Sequence, residues 1–384
     1  MANPLLTFSQ GPPRDMPYHT LSTNYGLSYN CRDLYNRIIN AASLEHVLGS
    51  HYDGFSLQKE GPEDSPIDPY VPILLTALSG HKGVETIFLT DVNWRSFPSR
   101  QAWHASITAF PNVTYLILTS ISLLAEELCS FIRSAPLLQN LEIHMCTITN
   151  DFPSQTLSAI PARTVMANQQ GPQILSLDIT VGEDCDTIVD FFNQPWSPLS
   201  FLYFGDLKIS GKGMAGGKDI AKEIARLVDI SVPSKLDVNC ANFYCFADAP
   251  SISIGWTEVR QLEIVLPLDG ANDFQRTSDC LQWWTSSLKL VPRNNKIVDI
   301  VIHVEAELES ITYLPSGMSM IPWIAFDEAL SDGKFKLNGA FSVAMGTWCT
   351  SRPFDGEVYE RWLESNALPK SFERHTGVCY RQRG

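Results

Sequence analysis

The chain has no apolar run near the length of about 18 residues that an ordinary transmembrane helix needs, so no membrane span is expected. Its first residues, MANPLLTFSQGPPRDMPYH, lack a positive stretch followed by an apolar one, and no secretory signal is read there. Basic residues are scarce: 28 Lys and Arg stand against 42 Asp and Glu, a formal net charge of −14. A surface of that balance repels phosphate backbones and anionic lipid, which makes nucleic acid and membranes poor partners. Charged residues make up 18% and hydrophobic ones 44%, the balance of an ordered globular chain. At 384 residues it can bury a substantial core. The nine cysteines are odd in number and scattered. Cys129, Cys146 and Cys280 sit in apolar runs, where a thiol behaves as a small hydrophobe. A reducing compartment, cytoplasm or nucleus, is expected.

Catalytic motifs are as scarce. SISIGW lacks the first glycine of G-x-S-x-G, and no order of cysteines and histidines makes a triad. CANFYC (Cys240, Cys245) has four intervening residues and no second pair, which speaks against zinc. Neither a catalytic residue, a metal nor a cofactor is expected. One stretch runs the other way. In ISGKGMAGGKD (209–219), Gly211, Gly213 and Gly216 match the dinucleotide-binding G-x-G-x-x-G, between a strand-like and a helix-like run. Asp237 lies about where a ribose-binding acid belongs. Against it, Asp219 puts an anion where pyrophosphate would sit, and Asp206 and Lys208 interrupt the preceding strand. A nucleotide-dependent oxidoreductase built on Gly211 to Gly216 is therefore the alternative reading.

What is present is repetition. VETIFLTDV from Val84, VTYLILTSI from Val113, LQNLEIHMC from Leu138, ILSLDITVG from Ile174, LSFLYFGDL from Leu199, VRQLEIVLP from Val259 and IVDIVIHVE from Ile297 all fit apolar-x-x-apolar-x-apolar. PSKLDVNCA from Pro233 is a weaker copy. Each copy predicts a short strand with alternate side chains inward. Amphipathic helices are predicted between them, with Leu124, Leu128, Phe131 and Ile132 on one face, and Ile220, Ile224, Leu227 and Val228 on another. In LQWWTSS, one tryptophan is expected to be buried and one to flank its helix. Units that cannot bury their apolar face alone predict an α/β solenoid of leucine-rich-repeat type, an irregular horseshoe with a parallel concave sheet. Position nine of each copy lacks the usual asparagine, so the turn after each strand must satisfy its backbone otherwise. Residues 1–83 are read as an irregular segment packing on the solenoid, with one helical candidate over 33–48. Residues 84–320 are read as the solenoid and 321–384 as a C-terminal cap.

FPNVTYLILTSISL and FIRSAPLLQNLEIHMCTI resemble the repeat region of fungal F-box-type leucine-rich-repeat proteins, as does VETIFLTDVNWRSFP. WIAFDEALSDGKFKLNGAFSVAM followed by ESNALPKSFERHTGVCYR is similar to their closing segment, and the resemblance spans roughly residues 84–384. It implies a target-binding solenoid of a cullin ubiquitin ligase substrate receptor. The L-P-x-E start of an F-box is not found in residues 1–83, so a Skp-type adaptor is a partner the N-terminal sequence does not support.

The expected function is non-enzymatic binding of a target protein, not yet identified, on the concave face. The outward strand positions give Phe88, Tyr115, Ile117, Asn140, Glu142, His144, Asp178, Tyr203, Asp237, Glu263, Asp299 and His303 as the binding residues. Early repeats offer apolar anchors and later ones carboxylates, which predicts a partner with an apolar anchor and a basic flank.

Overall fold

A computed structural model of the chain describes residues 19–23, 28–40, 54–59, 70–79, 84–91, 110–149, 172–181, 188, 191–192, 205–211, 220–241, 243, 251–253, 255–268, 275–306, 319–335, 337, 341–347 and 361–374. The chain forms two compact units, residues 1–122 and 123–384. Both are α/β. Among the described residues ten strands run parallel to a neighbour, three in the first unit and seven in the second.

The first unit runs β1 (His19–Thr23), β2 (Ser28–Asn30), α1 (Cys31–Asn40), β3 (Gly54–Lys59), α2 (Tyr70–Ser79), β4 (Thr86–Thr90) and β5 (Tyr115–Thr119). The strand order is β2-β1-β3-β4-β5, with β1 antiparallel to both its neighbours and β3 to β5 parallel. Among the described residues, the part expected to be irregular therefore holds three strands and two helices, and the first of these helices begins at Cys31. HTLST and GFSLQK carry too few apolar residues to announce a strand. Their conformation comes from pairing with each other and with β4, a tertiary effect that local propensity does not show. Leu34, Val71, Leu74 and Leu75 are buried, and the rings of Tyr35 and Tyr70 lie 5.1 Å apart between α1 and α2.

The second unit continues through β6 (Ser122–Leu124), α3 (Ala125–Ser134), β7 (Asn140–His144), β8 (Thr147–Thr149), β9 (Ser176–Val181), β10 (Asp206–Gly211), α4 (Ile220–Ser231), β11 (Lys235–Asn239), β12 (Gln261–Leu268), α5 (Gln275–Lys289), β13 (Asp299–Ala306), α6 (Ile321–Leu330), β14 (Phe341–Thr347) and α7 (Pro369–Arg374). β6 and β8 pair separately. The others lie side by side in chain order, β7-β9-β10-β11-β12-β13-β14, each parallel to the next.

The motif positions explain the burial. Leu141 and Ile143, Leu177 and Ile179, Leu207 and Ile209, Leu236 and Val238, Leu262 and Ile264, and Ile300 and Ile302 are all within 1% of full burial. The helices close that side: Leu128, Phe131 and Ile132 of α3 and Ile224, Leu227 and Val228 of α4 are buried as their spacing predicts. Leu124 is only half-buried, because it sits ahead of α3, where its backbone amide donates to Glu127 Oε2 at 3.0 Å. Trp283 and Trp284 depart from expectation. Both are buried, their rings 4.9 Å apart, since α5 packs on β12 with one side and on α6 with another. At the C-terminal end the buried Asp327 caps α7, accepting from the amides of Lys370 and Ser371 at 2.9 Å each.

One motif copy lies in a different phase. The sequence places a strand from Leu199, but β10 begins at Asp206. Phe204, Leu207 and Ile209 form a second, overlapping match to apolar-x-x-apolar-x-apolar, and the backbone follows that one.

Backbone hydrogen bonds show why. The carbonyl just ahead of a strand accepts two successive amides from the start of the next. Glu85 O takes Thr114 and Tyr115, Gln139 O takes Leu175 and Ser176, and Leu175 O takes Gly205 and Asp206. Gly205 O takes Ser234 and Lys235, Ser234 O takes Arg260 and Gln261, and Arg260 O takes Val298 and Asp299. The far end repeats as well: the amides of Asp91, Met145 and Cys240, each following its strand, donate to Thr119, Thr180 and Val265. Asp91, Ser120 and Met145 adopt φ of 56°, 53° and 53°, a left-handed turn that ends the strand without the asparagine of position nine.

At Gly205 two successive strand starts approach closely, since a Cβ there would lie 2.6 Å from the Leu175 carbonyl oxygen. Gly205→Ala should therefore destabilise the fold by roughly 1–3 kcal/mol, by forcing that backbone apart. Ser234→Ala, which removes only a 2.9 Å hydroxyl bond to Gly205 O, should cost about 1 kcal/mol or less. Urea denaturation of both variants checks the order.

Candidate functional site

Side chains that alternate with the buried ones project to the opposite side of each strand. In-register pairing then lines them up in rows, about 4.8 Å from strand to strand. In the first unit Phe88 stands between Ser56 and Ile117, and Tyr115 beside Thr86. Phe88, Tyr115 and Ile117 are all half-buried, so the expected apolar anchors do lie together.

The second unit carries three rows. The first reads Asn140, Ser176, Asp206, Lys235, Gln261, Asp299. The middle one reads Glu142, Asp178, Lys208, Asp237, Glu263, Val301, and the third His144, Thr180, Ser210, Asn239, Val265, His303. Parallel sheets are usually covered on both sides. Here one side is closed and the other is mostly half-exposed and polar.

The middle row concentrates like charge, with one cation in it. Lys208 Nζ bonds Asp178 Oδ2 at 2.7 Å. Burial pulls the lysine pKa down, but Asp178 beside it, with Asp237 and Glu142 behind, more than offsets this and leaves it raised. The Asp237 carboxyl is pushed from 3.8 up to about 6, first by burial and then by Glu263, against the opposing charges of Lys208, Lys235 and His303. Asp178 Oδ1 and Asp237 Oδ1 are both buried and accept no hydrogen bond.

Histidines brace the two ends. Glu142 Oε2 lies 2.9 Å from His144 Nε2, His144 Nδ1 lies 2.9 Å from Thr180 Oγ1, and Thr180 Oγ1 lies 2.8 Å from Ser210 Oγ. Glu263 Oε1 lies 2.7 Å from His303 Nε2. Acid, imidazole and hydroxyl in that order resemble a nucleophile relay. Acyl transfer also needs two donors aimed at the oxyanion. The amides around Thr180 are committed to the ladders on both sides of β9. The chain of bonds holds four side chains upright across three strands.

No family model matches the chain. No curated protein matches it either, so these comparisons identify neither an F-box nor a leucine-rich-repeat family.

Of the predicted residues, Asn140, Glu142, His144, Asp178, Asp237, Glu263, Asp299 and His303 lie on this one face of the second unit. Asp237 and His303 are buried rather than displayed, at 9% and 8% exposure. Tyr203 lies outside the described residues, as do Gly213 and Gly216 of the glycine-rich stretch, while Gly211 is the last residue of β10. The shifted phase of β10 brings Lys208 and Ser210 onto this face, where a strand from Leu199 would not place them. The Leu207–Ile209 alternation was the signal for both. Among the described residues no group of three or more His, Cys, Asp or Glu is placed to hold a metal ion. Likewise, no described helix is long and apolar enough to cross a membrane.

Asp237 gives a pH test with a definite sign. Its pKa is higher folded than unfolded, so the folded chain holds that proton more tightly. The stabilisation is fully present below about pH 4 and is lost as pH rises through about 6. Asp237→Asn should then raise stability at pH 7.5, on the order of 1–2 kcal/mol, and the gain should vanish by pH 4. Urea midpoints of both proteins across that range measure it.

Proposed function

We propose that this chain is a non-enzymatic binding module for another protein, built as an irregular solenoid of leucine-rich-repeat type. The observation that carries the reading is the open polar side of a parallel sheet whose opposite side is fully closed. Strand order that follows chain order, and a backbone hydrogen-bond unit that recurs from repeat to repeat, support the solenoid. A row of carboxylates with a single lysine supports a partner with a basic segment, through charge complementarity.

The resemblance to fungal F-box-type proteins extends the proposal to a substrate receptor of a cullin ubiquitin ligase. That extension needs a Skp-type adaptor, and co-expression with the adaptor followed by size-exclusion chromatography tests it. Separate elution restricts the function to target binding.

Affinity purification with wild-type chain and with Glu142→Gln/Asp178→Asn tests the binding face. Basic proteins retained by the wild type should fall by about tenfold on the variant, which removes two charges from the row. Equal retention of every protein on both would sink the reading.

A further inference from the structure

Asp237 is a buried acid of the second unit that the fold leaves with an unsatisfied oxygen. It is nine-tenths buried and its Oδ1 accepts no hydrogen bond. Its charged neighbours bond other acids instead: Lys208 Nζ to Asp178 Oδ2 at 2.7 Å, and His303 Nε2 to Glu263 Oε1 at 2.7 Å. Asp237 stands in register between Lys208 and Glu263, on the polar side of the sheet. A buried acceptor left without a donor costs more than the bond would have contributed. A fold that keeps one toward an open face has left the donor to come from outside.

The surroundings narrow what that donor is. It approaches two adjacent carboxylates and so carries positive charge. The described residues offer no group arranged for a metal ion. An ammonium is compact and strongly hydrated, and loses most on entering a desolvated position. A guanidinium is planar, more weakly hydrated, and presents a fork that reaches acceptors on neighbouring strands about 4.8 Å apart.

We propose that Asp237, with Glu263 beside it, seats an arginine side chain of the bound protein. This rests on the docking function proposed above and names the group recognised there. The cation settles on the β11–β12 side of the row, because on the β9–β10 side Lys208 already neutralises Asp178. The groups facing Asp237 are Asp206 and Lys208 on β10, Lys235 and Asn239 on its own strand, Glu263 on β12 and His303 beyond it on β13. Because Asp237 titrates near 6, the seat gains charge between pH 5 and pH 7.5.

The test uses the full chain and fluorescein-labelled hexa-arginine, hexalysine and hexacitrulline, followed by fluorescence anisotropy at near-physiological salt. Hexa-arginine should bind about fivefold more tightly than hexalysine, and hexacitrulline should not bind. Asp237→Asn should weaken hexa-arginine about tenfold and abolish its advantage over hexalysine. Glu263→Gln should weaken it too, which provides a second readout if the first variant folds poorly. Glu364→Gln removes the same charge from an exposed position in the C-terminal segment and should leave affinity within about twofold. Unchanged binding in Asp237→Asn, equal losses in Asp237→Asn and Glu364→Gln, or no binding by the wild-type chain overturns the seat. If Glu142→Gln and Asp178→Asn weaken hexa-arginine while Asp237→Asn does not, the face still docks basic segments and only the seat is wrong. If no variant on the face changes binding, the docking function falls with it.

Discussion

A carbonyl that accepts two amides from the start of the following strand sets the phase of β5, β9, β10, β11, β12 and β13. The constraint acts on backbone, so it holds for any residue type that fits. Its consequence is that equivalent positions of successive strands stand side by side, and the side chains have no freedom to avoid their neighbours. Where adjacent strands both carry acids at the same position, those acids are forced together. Glu142 beside Asp178 and Asp237 beside Glu263 are such pairs. Like charges directly opposite one another are destabilising, and only one lysine enters the middle row to relieve them.

This separates the two sides of the second unit. The closed side is a run of aliphatic residues sealed by helices, and it accounts for stability. The open side carries carboxylates, imidazoles and hydroxyls in an arrangement that a protein selected for stability alone would not keep. Asp237 is the sharpest case: burial and Glu263 both act against its ionised form. That tension underlies the proposal that the open side exists for binding.

Much of the fold could be read directly. The motifs from Val84, Val113, Leu138, Ile174, Pro233, Val259 and Ile297 fall on strands, because period-two burial leaves its mark in the residues themselves. The motif from Leu199 went astray because two matches overlap there, and only the bonding of Gly205 and Asp206 to Leu175 selects between them. β1 and β3 were not legible because their sequences carry little apolar alternation. At the site, the outward positions were legible but their relations were not. Glu142, His144, Thr180 and Ser210 join across three strands with partners up to 36 residues apart. Finding them required the phase of β9 and β10 relative to β7. The burial of Asp237 was invisible for the same reason, since it depends on what the flanking strands place around it.

The same bonding also divides the chain into positions that tolerate a change of length and positions that do not. Residues between one strand and the next can be gained or lost while the two amides at the following strand start still find their carbonyl. A single residue inserted within a strand, by contrast, would turn every side chain beyond it to the opposite side and exchange carboxylates for leucines. Evolutionary variation in this protein should therefore collect between the repeats, with the strands changing their chemistry but never their count.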